Sequence, residues 1–447
     1  MIHKVVRGGQ MHDPVRIHNA RWLDPAGRFR EGEVLLKNER IVLPPAEKVP
    51  NPRVSDCLDV PGRLLIPGLF DPHVHLRQPG EAKSEGIRNG TKAALAGGVT
   101  SLLDMPNNRP PCCNAAQLEA KRALFKKNSL VNWGLHLLAE GSFGTVPSKI
   151  AAGKVFMAGS GPSPATTDPK RLAEIFSRFP IVAVHAEDET CFLPSAAGFS
   201  HSERRPRAAI ISALDKINTA LTAVACLHRP VSRVVLLHVS TSDEIAWVRA
   251  MKASGWDIKA ETCFHYIFFT EDDERKQGSR YKVNPPLRES EDRSAIREAL
   301  LDGTIDFIST DHAPHPPEAK ANRESAPSGM PGLEWAAPLL CKLAVDGLIP
   351  WGKAVDLCCR NAAEAYHLGE AGKISEGAAA NLVILAPALP SDAPLPIVTR
   401  AGYNPFVEFD FPWRVETVFV NGHRAFHKGD WSPHSAGKDL YERASRT

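Results

Sequence analysis

The rhythm of apolar positions in this chain changes twice. Residues 1–65 carry short apolar runs, VRIHNARWLDP, GEVLLKNERIVLP and CLDVPGRLLIP. Polar, Gly and Pro positions break them and no stretch has helical period, so strands and turns are predicted. From Ile66 to Leu368 the pattern alternates an apolar run, a loop and a segment of period 3.6. SEGIRNGTKAALAGG predicts a helix with Ser84 as N-cap, Glu85 in the first turn and Gly97-Gly98 as its stop; VTSLLDM after it reads as a strand. After Gly369 the short runs return in GKISEGAAANLVILAP and RVETVFVNGHRAFHKGD, where Asn421-Gly422 predicts a two-residue hairpin. The expected fold is α/β: a (β/α)8 TIM-type barrel over residues 66–369, with a small β-sandwich domain formed by both termini, residues 1–65 and 370–447.

Five apolar runs carry or end in a potential metal ligand. LLIPGLF runs into Asp71, His73 and His75; KVFM carries Lys154; IVAV ends at His185, RVVLL at His238 and IDFIST at Asp311. Parallel barrel strands present their C-terminal ends on one face, so ligands far apart in sequence can converge there. His73 and His75 are two residues apart and point to the same side of an extended segment. Singly, His185 or His238 reads as a core histidine; all together at strand ends they read as a metal set. Four imidazoles and a carboxylate suit zinc or a similar first-row ion. An ammonium cannot bind a cation, but burial beside two cations favours the neutral amine of Lys154, which can add carbon dioxide and bridge the ions as a carbamate. Such a centre generates hydroxide at neutral pH and polarises a carbonyl, and Asp311 is placed to take and return a proton. The chemistry expected is hydrolysis of an unactivated amide-like bond.

The 447 residues exceed the roughly 250 of a barrel, which leaves room for one appended domain. A net charge of +3 with interspersed signs excludes a nucleic-acid footprint. No apolar run reaches the ~20 residues of a membrane span and MIHKVVRGGQ lacks a signal core, so a cytoplasmic protein is expected. Nine cysteines without zinc-ribbon spacing argue against a disulfide framework; Cys112-Cys113 and Cys358-Cys359 read as buried or incidental thiols. HPPEAKANRESAPSG, from His315 to Gly329, is polar and aperiodic, as a long loop over the barrel mouth would be.

In this order, DPHVHLRQPG, DMPNN, KVFM, VHAEDE, LLHVSTSDE, KVNPPLR, STDHAPH and APSGMPGLE resemble the amidohydrolase superfamily, and within it the dihydroorotases of pyrimidine biosynthesis. GKISEGAAANLVIL resembles the β-domain segment of cyclic amidohydrolases. The resemblance implies two divalent ions, zinc being expected, one held by His73, His75 and Asp311 and the other by His185 and His238, with carboxylated Lys154 between them. It implies that Asp311 is the acid and base, that Arg77, helped by Asn107 and His315, grips the substrate carboxylate, that Asn284 faces the pyrimidine ring, and that the backbone from Ala326 to Gly329 lies beside it. The reaction implied is reversible hydrolysis of L-dihydroorotate to N-carbamoyl-L-aspartate by metal-activated hydroxide, a step toward UMP. Oligomeric state stays open, although a homodimer would be unsurprising for such a barrel, and aspartate transcarbamoylase is the partner to be tested. His312 is expected to support its loop rather than to bind metal.

Gln78 stands where the family has Glu, Cys112-Cys113 occupy a stretch usually rich in Thr, and the loop after Asp311 departs from the pattern. Two rivals follow. Another cyclic-amide hydrolase, a dihydropyrimidinase, hydantoinase or allantoinase, would share the metal centre; Arg77 speaks against it, as does Gly159 where hydantoinases carry tyrosine. A non-catalytic dihydroorotase-like subunit scaffolding aspartate transcarbamoylase would have no physical need for all six metal-set residues.

Overall fold

The computed structural model describes residues 14–44, 56–140, 145–194, 200–322, 325–369, 371–389, 396–434 and 436–443. The N-terminal segment MIHKVVRGGQ and positions 323–324 of the expected mouth loop lie outside the described residues. Eight parallel strands form the barrel: Leu69–Val74, Val99–Asp104, Asn132–Leu135 continued by Leu137–Leu138, Gly153–Phe156, Ile181–His185, Arg233–Leu236, Ile258–Cys263 and Phe307–Ser309. A bridge between Val74 and His312 closes the ring, and His75 N donates to His312 O at 2.8 Å. Strands packed on both faces need apolar residues at successive positions, which is why these runs are continuous rather than alternating. The helices outside them follow the 3.6 period. His201–Cys226 is, among the described residues, the helical stretch long and apolar enough to cross a membrane. Here Ile210, Leu214, Ile217 and Leu221 of that stretch pack into the barrel core, a face that Arg207, Asp215 and Lys216 hide from a search for unbroken apolar runs.

Both ends of the chain meet in one nine-stranded mixed sheet. Its middle strand, Leu64–Pro67, pairs parallel with Val15–Leu23 and antiparallel with Leu382–Pro387. Alternation of side chains sends Leu65, Leu382 and Ile384 into the core of the β domain and Leu64, Ile66, Val383 and Leu385 against the barrel. The sheet is thus welded to the barrel along one face. Asn421 (φ 50°) and Gly422 (φ 80°) both sit in the left-handed region and turn Trp413–Val420 back onto His423–His427, the hairpin their sequence predicts. The nine cysteines are all free.

One expected helix start is corrected. The helix runs Ile87–Ala96 with Gly86 as its N-cap residue, not Ser84, while Gly97 and Gly98 end it as expected. Glu85 is not in the first turn: its buried carboxylate accepts from Thr399 Oγ1 at 2.9 Å and Arg400 N at 3.0 Å, a long-range contact that holds the preceding segment out of the helix. The first helical N–H, on Ile87, is capped instead by Gln78 Oε1 at 3.0 Å. Gln78, the position that departs from the family pattern, therefore does a job for which only a side-chain oxygen is required.

Candidate metal centre and substrate cavity

A cavity of about 280 Å³ opens at the C-terminal ends of the barrel strands. All six residues read as the metal set line it, and so do Arg77, Asn107, Asn284 and His315. His73 Nε2 and His75 Nε2 lie 3.3 Å and 3.2 Å from the same oxygen, Asp311 Oδ1. The potential ligand atoms of these three residues are all within 4.8 Å of one another. His185 Nδ1 stands 2.8 Å from His238 Nε2, and the His238 ring centroid is 5.5 Å from that of His73, so the two groups adjoin. Lys154 Nζ is fully buried with no hydrogen-bond partner among the described residues, 4.5 Å from the centroid of the Phe156 ring.

The electrostatics suit metal binding. Burial pushes His75 down to about 4 and also lowers His185 and His238, leaving those rings neutral with lone pairs available. Burial would lower His73 too, but the Glu261 and Asp311 carboxylates beside it outweigh that and raise it. Burial brings Lys154 down to about 7, so a large share of its amine is neutral at physiological pH. A buried polar atom without a partner costs about 1–3 kcal/mol. Lys154 Nζ and His238 Nδ1 are two such atoms among converging nitrogen and oxygen donors, and this donor set fits divalent ions.

Of the eleven non-glycine residues with positive φ among the described residues, three line the cavity. Arg77 (φ 61°), His238 (φ 41°) and Asp311 (φ 44°) are non-glycine residues in the left-handed region, which persists only where surrounding packing enforces it. Asp71, the first potential ligand of its run, does not join the cluster: its carboxylate accepts from His73 N, Thr310 N and Thr310 Oγ1, tying the first barrel strand to the eighth. The Nδ1 of His312 accepts from Gly332 N and Leu333 N, which ties its loop to the segment that follows.

Among the expected substrate residues, Arg77 Nη2 lies 3.1 Å from His315 Nε2, which is also 3.0 Å from Ser328 O, and burial together with Arg77 pushes His315 down to about 3, so the ring is neutral. Among the described residues no carboxylate lies within ion-pair distance of Arg77. Asn107 does more than face the cavity: its Oδ1 is 2.7 Å from His75 Nδ1 and its Nδ2 donates to Ser160 Oγ, so it orients a candidate ligand. Asn284 Oδ1 is 2.9 Å from His201 Nε2. Pro327, Ser328 and Gly329 of the mouth loop close one wall; a Cβ on Gly329 (φ 132°) would fall 2.3 Å from Ala313 O, so that approach needs glycine. At Gly159, also in the lining, an added Cβ would meet Glu189 Oε2 and Ser163 O at 3.5 Å, an ordinary contact distance.

Sequence reasoning missed Glu261, whose Oε1 lies 2.7 Å from His73 Nδ1, both side chains being buried. The signal was present in IKAETC, since a carboxylate inside an apolar strand must find a partner. It also missed Arg205, which lines the cavity and pairs with Glu187, itself 3.0 Å from His185 Nε2. No local pattern marks Arg205 out among the neighbouring arginines.

A family model described as the amidohydrolase family matches residues 64–425. The chain is 33% identical over 396 residues to a dihydroorotase from Endomicrobium trichonymphae, covering 83% of this chain and 89% of that protein. It is 32% identical over 425 residues to a dihydroorotase from Shouchella clausii strain KSM-K16, covering 91% and 96%. Among solved structures it is similar to an L-hydantoinase (dihydropyrimidinase) from Arthrobacter aurescens, with a TM-score of 0.84 at 23% identity, covering 96% of this chain and 99% of that one. A dihydropyrimidinase from Brevibacillus agri NCHU1002 gives 0.78 at 23%, covering 95% and 97%. At that identity the structural likeness speaks for the fold, a barrel with a β-sandwich domain. The ordered motifs, the family model and these relatives agree, and the chain belongs to the amidohydrolase family, in its dihydroorotase group.

Proposed function

We propose that this protein is a dihydroorotase, hydrolysing the ring amide of L-dihydroorotate to N-carbamoyl-L-aspartate and closing the ring in the reverse direction. One observation carries the substrate class: Arg77 brings a half-buried guanidinium, with no carboxylate within ion-pair distance among the described residues, into the same small cavity as the histidine and aspartate cluster. A guanidinium so placed is matched by a substrate carboxylate, which it can bind in a bidentate way. Dihydropyrimidines and hydantoins without a carboxylate leave it unpaired.

In this reading His73, His75 and Asp311 would hold one divalent ion, His185 and His238 a second, with Lys154 as a bridging carbamate and zinc as the expected metal. When bound, such ions supply Lewis acidity toward the carbonyl and lower the pKa of water. The chain's own residues do the rest. Asp311 accepts the proton of the attacking water and returns it to the departing ring nitrogen. Arg77 binds the substrate carboxylate, helped by His315 and by the amide of Asn107; Asn284 and the backbone at Ala326–Gly329 face the ring. Residues 66–369 would form the catalytic unit, with 1–65 and 370–447 as the β domain. A cytoplasmic setting, a homodimer and contact with aspartate transcarbamoylase belong to the same reading, and size-exclusion chromatography with and without the transcarbamoylase tests the last two.

The decisive assay compares initial rates of the zinc- and bicarbonate-supplied protein on L-dihydroorotate, dihydrouracil, hydantoin and allantoin. Selective turnover of dihydroorotate is expected, and Arg77→Met is expected to raise its KM at least tenfold, about 1.4 kcal/mol of binding. Equal turnover of the uncharged rings, or a variant with unaltered KM and kcat, would sink the assignment. No turnover of any ring would leave the scaffold.

Glu261 supplies a further prediction. Its carboxylate fixes the Nδ1–H tautomer of His73 and turns Nε2 toward Asp311. Glu261→Ala is expected to weaken metal affinity about 10- to 100-fold, whereas Glu261→Gln, which keeps an acceptor oxygen, should fall between that variant and the parent. Competition against a chelator reads the difference. Wild-type affinity in the alanine variant would show that His73 needs no such anchor.

A further inference from the structure

One fully buried lysine stands beside the cavity without lining it. Lys121, on the helix Ala115–Asn128, is 0% exposed, and its Nζ donates to Asn108 Oδ1 at 2.6 Å and to Met105 O at 2.7 Å. The same nitrogen lies 2.6 Å from Asp104 Oδ2. Asp104, also 0% exposed, accepts from Leu76 N at 2.7 Å through its other oxygen. Each end of this network abuts a residue of the site. Leu76 immediately precedes Arg77, whose backbone sits in the left-handed region. Asn108 immediately follows Asn107, whose Oδ1 meets His75 Nδ1.

Replacing a buried ion pair by apolar residues of similar volume is often neutral or stabilising, so such a pair is weak support for stability as such. What an apolar side chain could not do is hold Asp104, Met105 and Asn108 at fixed positions around one ammonium. A strained conformation such as that of Arg77 persists only when its neighbours over-determine it, and Asp104 holds the backbone of the residue just before it.

We propose that Lys121 is a positioning residue for substrate recognition. With Asp104 it locks the loop that carries Arg77 to the loop that carries Asn107, and so sets the direction in which the guanidinium meets an anionic substrate. The inference rests on the reading of Arg77 as the carboxylate-binding residue.

The test uses the full, zinc-loaded chain and L-dihydroorotate. Lys121→Met alone strands a buried carboxylate, so it is combined with Asp104→Asn, which keeps an oxygen for Leu76 N. A second variant, Asn108→Ala, cuts only the link to the Asn107 loop and leaves the charge pair intact. Thermal melting checks the fold of each, and metal per chain is measured by mass spectrometry. We expect KM to rise about tenfold in the double variant and at least about threefold in Asn108→Ala, with kcat within about threefold and metal content unchanged, because positioning errors act first on binding here. Should kcat and metal content fall together with KM unchanged, the role is structural and the proposal is overturned. If Arg77→Met itself leaves KM unaltered, the fault lies with the reading of Arg77; if Arg77→Met raises KM while both Lys121-network variants match the parent, the positioning role is wrong.

Discussion

Asp311→Asn is expected to retain metal and to lose about a thousandfold in turnover, within the range that general acid–base catalysis contributes. Asparagine has the same shape and offers an oxygen where Oδ1 now lies 3.3 Å and 3.2 Å from His73 and His75. It cannot take a proton from water or hand one to a leaving nitrogen. The position itself should survive the change, since the backbone around it is held by the Val74–His312 bridge, by His312 N donating to Thr310 Oγ1 and by the Thr310 contacts to Asp71. Metal analysis with initial rates in both directions reads the outcome. An unchanged rate would remove the proton-transfer role from Asp311, and a variant lacking metal would reduce that residue to a ligand.

Lys154→Met is the second large loss, and it acts on the centre rather than on the proton. Methionine fills the space of the lysine stem with an unbranched apolar chain but has no amine. In the proposed reading, the neutral amine would add to the carbon of carbon dioxide and release one proton, giving an anionic carbamate with two oxygens. The amine is poised for this because burial holds it down to about 7 and, among the described residues, no hydrogen-bond partner occupies Nζ. The variant should carry fewer than two metal ions per chain and lose at least about a thousandfold in rate, a loss that two-ion chemistry can account for. The parent, stripped by chelator and reloaded, should take up more metal with bicarbonate than in a buffer freed of carbon dioxide. Full loading and full rate in Lys154→Met would rule out the bridge.

These expectations came in unequal measure from sequence and from structure. That His73, His75, His185, His238 and Asp311 line one cavity was legible because a donor at the C-terminal end of an apolar run is a local pattern and parallel barrel topology gathers such ends on one face; Lys154, near the start of its strand, joins them in that cavity. The hairpin at Asn421-Gly422 was legible for a similar reason: two adjacent residues tolerate the left-handed backbone that its turn demands. Glu85, Glu261, Lys121 and Arg205 were not legible as the groups they prove to be. Each acts through a partner at least 18 positions away or through several at once, as Glu85 does with Thr399 and Glu261 with His73. The start of the helix after Glu85 failed for the same cause, since the capping oxygen comes from Gln78 rather than from the segment's own Ser84.

What the sequence determined by itself is the periodicity of the strands and helices, the group to which the chain belongs, and the donors offered at the strand ends, because these depend on residue type and near neighbours. What only the tertiary structure decided is which of those donors face one another, that Asp71 ties strands together while Asp311 faces the cavity, and which buried charges hold Arg77, His73 and His75 in place. Such pairings depend on the closure of the barrel, which brings distant residues within hydrogen-bond reach and removes the water that would otherwise satisfy them.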